Sequence, residues 1–133
     1  MAKITSSIKQ ELYKVEIKSL TGNILIADEP IDKGGKDLGF SPKELLASAL
    51  AACTSATVKM YADRKGWDLE ETKLEIALKR DQKENKTVIN RKIGFVGKLD
   101  DAQKSRLFKV ANTCPIHKIL SNPIEINTEV VND

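Results

Sequence analysis

One stretch constrains the fold of this chain more than any other: from Leu45 through Val58 no side chain carries a charge. It lies within FSPKELLASALAACTSATVKMYADRKGW, residues 40–67, where Leu45, Leu46, Ala49, Leu50, Cys53, Thr57, Met60 and Tyr61 recur at helical spacing. Ser41 is the expected N-cap, Pro42 the first helical residue, Glu44 the far side of a capping box, and Gly66 the stop. Alanines and serines fill the remaining faces, so the helix is small or apolar nearly all round, as expected of one buried on several sides. A bilayer span needs about 20 apolar residues. This run is shorter, and Lys43, Glu44, Lys59, Asp63, Arg64 and Lys65 bracket it, so the expectation is a core helix and no membrane.

A chain of 133 residues without a linker-like segment is expected to form a single domain, 1–133. A helix that wants cover on every face is hard to bury in so small a domain, and a second copy of the chain would supply that cover. The formal net charge of +3 comes from lysines scattered among nearly as many acids, which describes a soluble surface and argues against a nucleic-acid partner. MAKITSSIKQ at the N-terminus lacks an apolar core of signal-peptide length, so a cytoplasmic protein is expected. In that compartment two cysteines are not a permanent staple, and a disulfide between them would be transient and chemical in purpose.

Either side of the helix the pattern switches to alternation. Tyr13, Val15 and Ile17 oppose Lys14, Glu16 and Lys18 in a half-buried strand, Thr21-Gly22-Asn23 turns the chain, and Ile24 to Ala27 returns to complete a hairpin. Residues 28–39, with Pro30, Gly34, Gly35 and Gly39, form a loop. Leu74, Ile76 and Leu78 mark a further strand, and a polar turn at 81–86 leads to another over about 87–96. There Arg91 shares a face with Ile89, Ile93 and Phe95; it is either an edge arginine or a guanidinium in search of an anion. Asp100 and Gln103 box the start of a second helix whose buried stripe is Leu107, Val110 and Ala111. Pro115 ends that helix and opens a short one over 116–120, and Ile124, Ile126 and Thr128 alternate as a closing strand. Antiparallel neighbours with helices between them make the expected class α+β.

The residues able to do chemistry are few. Cys114, as N-cap of the short helix, would face unpaired backbone N–H groups, which favours its nucleophilic thiolate form. Cys53 lies inside the long helix and needs a neighbouring cation or base. Against this stands the reading of both as small buried hydrophobes. Zinc would have to recruit Cys53, Cys114 and His117, and without a close Cys-x-x-Cys pair no metal is expected. His117 is read as a polar contact at the helix start in preference to a base. Gly94-Phe95-Val96-Gly97 and Gly34-Gly35-Lys36 lack the basic or phosphate-loop surroundings that would make them nucleic-acid or nucleotide motifs, so no cofactor is expected.

Taken together, SPKELLASALAACTSATVKMYADRKGW, the later CPIHK, and the upstream LIADEP with GGKDLG resemble the OsmC/Ohr family of osmotically inducible and organic-hydroperoxide-resistance proteins, from about Tyr13 to Thr128. The resemblance implies an intertwined α+β homodimer, with antiparallel sheets around a long central helix and active sites at the subunit interface. It implies reduction of organic hydroperoxides by Cys53, which becomes a sulfenic acid, resolution by Cys114 as a disulfide, and restoration by a dithiol reductant. The family's acidic residue lies ten positions before the first cysteine; here that position is Lys43, and Glu44 follows it as the candidate. The family's N-terminal arginine has no counterpart, since no arginine precedes Arg64. Lys14, Lys43 and Arg91 are the candidate replacement cations. The alternative is a redox-sensing or small-molecule-binding dimer that keeps the fold and turns over slowly or not at all.

Overall fold

The computed structural model describes residues 1–132. The chain is α+β, with antiparallel sheets and a long helix, and divides into two compact units: Met1–Ser48 with Arg80–Thr87, and Ala49–Lys79 with Val88–Asp133.

The first unit is built on a three-stranded antiparallel sheet in the order β1 (Ile4–Ile8), β2 (Val15–Ser19), β3 (Ile24–Ala27). In β2 the alternation holds from Val15 on, with Val15 and Ile17 half-buried and Glu16 and Lys18 exposed, whereas Tyr13, expected on the same apolar face, is an exposed turn residue before the strand. The β2–β3 turn closes through Ser19 N–H to the Asn23 carbonyl and Gly22 N–H to the Ser19 carbonyl, with Gly22 at φ +95°. Strand β1 was not expected. Its five residues, ITSSI, are all exposed and only two of them apolar, so it is recruited by the free edge of β2, pairing Ile4 with Ser19 through Ile8 with Val15.

Asp28 organises the loop that follows. Its carboxylate is 2% exposed and accepts from the backbone N–H groups of Tyr13, Glu29, Lys36 and Leu38 at 2.7–3.3 Å. Burial works against the ionised form, but the N–H donors of Leu38, Glu29, Tyr13 and Lys36 outweigh it and hold the carboxyl below its ordinary value. Ala27 and Phe40 meet in a parallel bridge, and a Cβ on the intervening Gly39 would lie 2.1 Å from the Ile26 carbonyl oxygen. Only glycine permits that approach. Helix α1 (Pro42–Lys65) then begins with the expected box: Ser41 N–H donates to Glu44 Oε1 at 2.9 Å, and Glu44 N–H to Ser41 Oγ at 3.2 Å.

In the second unit α1 buries a single stripe, Leu50, Thr54, Val58 and Ala62, each four residues after the last. The expected burial on several sides, with Leu46 and Met60 among the covered residues, does not occur within one chain: Leu46 is 49% exposed and Met60 64%. The helix stops at Gly66, φ +69°, where Trp67 N–H reaches the Ala62 carbonyl and Gly66 N–H that of Asp63. This is the reciprocal glycine C-cap. By length and composition α1 could cross a bilayer, a test that core helices of soluble proteins also pass.

Strands β4 (Asp68–Asp81) and β5 (Lys86–Lys98) form a two-stranded hairpin sheet. Helix α2 (Asp101–Ala111) carries its capping box, with Gln103 N–H to Asp100 Oδ1 at 2.7 Å and Asp100 N–H to Gln103 Oε1 at 2.9 Å. Its buried residues are the expected Leu107, Val110 and Ala111. Leu107 and Ala111 join Val58, Ala62 and Leu69 in the core, with Tyr61, Trp67, Ile93, Phe95 and Leu99 packed around them. Helix α3 (Pro115–Leu120) follows directly.

The expected closing strand over 124–128 is not formed. Ile124 and Ile126 are 59% and 82% exposed, and among the described residues no strand pairs with them. Alternation encodes one apolar face, but a strand exists only where a partner satisfies its backbone N–H and C=O groups.

Candidate active site

All the contacts around the two cysteines fall in the second unit. Along α1, Cys53 is half-buried and the adjacent Thr54 fully buried. Helix α2 ends at Ala111 with Asn112 as its C-cap, and the chain turns through Thr113 into Cys114. Pro115 cannot follow a helical residue comfortably, so Cys114 takes extended geometry, φ −61° and ψ 136°, and becomes the N-cap of α3. Its sulfur accepts the His117 backbone N–H at 3.3 Å, its carbonyl the Lys118 N–H at 3.2 Å, and the residue is 0% exposed.

The Cys114 thiol is held below its ordinary value. Burial opposes ionisation, but the His117 N–H, the Cys53 side chain, the Thr54 hydroxyl and the Ile116 N–H together more than offset it. Cys53 is therefore close enough to act on the Cys114 sulfur, and both thiols are free. The Thr54 hydroxyl donates to Cys114 Sγ at 3.8 Å.

Arg91 reaches the same place from β5. Its Nη1 donates to Thr54 Oγ1 at 2.8 Å and to the Ala111 carbonyl at 3.5 Å; its Nη2 donates to Asn112 Oδ1 at 2.7 Å and lies 3.3 Å from His117 Nδ1. The edge-arginine reading of Arg91 gives way to the inward one. Because a guanidinium only donates, His117 Nδ1 takes the acceptor side of this contact. His117 is thus a polar contact, and it is its backbone N–H that touches sulfur.

Glu44 belongs to the first unit, where its carboxylate is engaged in the α1 capping box. The Ser41 backbone N–H, then the Ser41 hydroxyl, hold it below the usual carboxylate range. Lys14 and Lys43 are also residues of the first unit. Among the described residues no cluster of three His, Cys, Asp or Glu side chains is arranged for a metal.

Thr54 and Asn112 were missed in the sequence. A signal for Thr54 existed: counting by four from Leu50 to Val58 passes through it, which marks a polar side chain on the buried stripe. Nothing local marks Asn112, whose role depends on where β5 lies.

Comparison with known proteins agrees with this arrangement of elements. The OsmC-like protein family model matches residues 34–129. A Psychrobacter arcticus protein described as osmotic stress induced and of the detoxification response has 27% identity and a TM-score of 0.78, over 90% of this chain and 88% of that one. An OsmC like protein from Mycoplasma pneumoniae superposes at TM-score 0.75 with 21% identity, over 90% and 86% of the two chains. The organic hydroperoxide resistance protein OhrB of Bacillus subtilis superposes at TM-score 0.62 with 22% identity, over 91% and 90%. No curated protein matches the sequence.

Proposed function

The chain belongs to the OsmC-like protein family, and we propose that it is a cysteine-dependent peroxidase that reduces organic hydroperoxides in a cytoplasmic stress response. The observation that carries this reading is the meeting of Cys53 and Cys114, remote in sequence, at one site where the second thiol ionises more readily than usual. The names of the Psychrobacter and Bacillus relatives support the stress-related part of it.

Cys53 is the half-buried thiol of the pair and Cys114 the fully buried one, so Cys53 is assigned the first step. Its thiolate attacks the terminal peroxide oxygen; the O–O bond breaks, the alkoxide takes a proton and leaves as alcohol, and Cys53 becomes a sulfenic acid. The Cys114 thiolate then attacks the Cys53 sulfur, hydroxide leaves as water after protonation, and a disulfide forms. An external dithiol, itself oxidised to a disulfide, returns both thiols. Glu44 is assigned the part of the family's acidic residue, offset by one position, and fixes the start of the helix that bears Cys53.

We also read the protein as one domain and as a homodimer. The exposed Leu46 and Met60 on α1 are the faces a second copy would cover. The second functional reading, a redox-sensing or binding dimer, is favoured by the absence of any arginine before Arg64 and by the complete burial of Cys114. Stopped-flow mixing of the reduced protein with a lipid-like hydroperoxide, and separately with hydrogen peroxide, distinguishes the two. A fast phase with the organic substrate is expected; no fast phase with either gives the sensing reading.

A further inference from the structure

Arg91 is a half-buried guanidinium none of whose partners carries a negative charge: Thr54 Oγ1, the Ala111 carbonyl, Asn112 Oδ1 and His117 Nδ1. Among the described residues its side chain makes no ion pair with a carboxylate. Withdrawing a cation from water without a counter-charge is costly, and the cost is relieved when an anion forms nearby. The titratable groups around Cys114 are Cys53 on α1, Arg91 on β5 and His117 on α3; α2 contributes only the neutral Ala111 carbonyl and Asn112. Of these, the cysteines are the groups able to become anions.

Counting donors fixes the direction of the chain of bonds. A guanidinium has no acceptor, so Thr54 Oγ1 accepts from Arg91. The single hydroxyl proton is then left for the Cys114 sulfur, 3.8 Å away. Accepting from a cation polarises the hydroxyl and strengthens its own donation.

We propose that Arg91 is a positioning residue that acts through the Thr54 hydroxyl to hold Cys114 as thiolate. The step is the loss of one proton from the Cys114 thiol to solvent, leaving the sulfur anion as acceptor of the Thr54 O–H and the His117 N–H. The Thr54 hydroxyl is among the groups that make Cys114 ionise more readily, after the His117 N–H and the Cys53 side chain. The use made of the thiolate, attack on a Cys53 sulfenic acid, rests on the peroxidase reading; the thiolate itself does not, and is measured without peroxide.

The test is the pH titration of thiolate ultraviolet absorbance in the full chain carrying Cys53→Ser, where Cys114 is the sole thiol. An unperturbed thiol titrates near about 8.5, and the midpoint in this background is expected below that. Thr54→Val, which keeps shape and removes the relay, and Arg91→Met are each expected to lower the acid dissociation constant of Cys114 about tenfold, one pH unit in midpoint, with Arg91→Lys recovering part of the loss. A merely structural arginine would change the melting temperature and leave the midpoint alone. Midpoints unchanged in folded Thr54→Val and Arg91→Met overturn the proposal; should Arg91→Met fail to fold, Thr54→Val decides it alone. The expected midpoint shifts together with no hydroperoxide consumption by the wild-type protein would retain Arg91's role and remove the peroxidase instead.

Discussion

The hydroxyl of Thr54 lies 3.8 Å from the sulfur of Cys114 and donates to it across sixty positions of sequence. Thr54 follows Cys53 directly on α1, so the bond also brings the second cysteine beside the first. Its other partner, Arg91 at 2.8 Å, makes the hydroxyl a donor to sulfur by occupying its acceptor side.

The two cysteines should differ in what their loss does. Cys53→Ser is expected to abolish hydroperoxide consumption, whereas Cys114→Ser should allow about one turnover per subunit, because a sulfenic acid forms without a resolving thiol but is not regenerated through an internal disulfide. Single-turnover peroxide assays with the reduced variants check this. The opposite asymmetry would exchange the two roles.

Oligomeric state follows from α1. With only the Leu50–Thr54–Val58–Ala62 stripe buried and Met60 64% exposed, a second copy is expected over the open face. Sedimentation at micromolar concentration should show a dimer, and Met60→Lys should shift it toward monomer. A wild-type monomer would refute the expectation.

Asp28 gives the first unit an acid sensitivity whose sign is fixed. Its carboxyl is held below the ordinary value in the folded chain, so its contribution is present above the unfolded value, near about 3.9, and is lost as pH falls through the lower, folded one. Asp28→Asn should therefore lower the melting temperature at neutral pH, and the gap to wild type should close in acid. Thermal melts by circular dichroism at neutral and acid pH measure it; a gap independent of pH would contradict the assignment.

Leu107 is fully buried among Val58, Ala62, Leu69 and Ala111. Leu107→Ala is expected to cost about 2–5 kcal/mol, transfer and cavity together. Urea unfolding gives the value, and a loss under about 1 kcal/mol would mean the site collapses around the smaller side chain.

Local chemistry was legible in the sequence wherever one segment decides its own fate. The Ser41–Glu44 and Asp100–Gln103 boxes, the Gly66 stop, the Cys114–Pro115 break and the stripe of α2 each depend on groups within a turn or two, and all form as written. What depends on a remote partner was not. Strand β1 exists because β2 offers it an edge, and the alternating residues 124–128 stay unpaired because none of the described strands does. The same division runs through the candidate site. Two cysteines and their immediate contexts could be read directly, and Arg91 could be seen as a guanidinium on an apolar face. That Arg91 bonds Thr54, and Thr54 the Cys114 sulfur, was decided by tertiary structure alone, because hydrogen bonds between side chains on α1, β5 and the turn before α3 have directions that no spacing along one chain encodes.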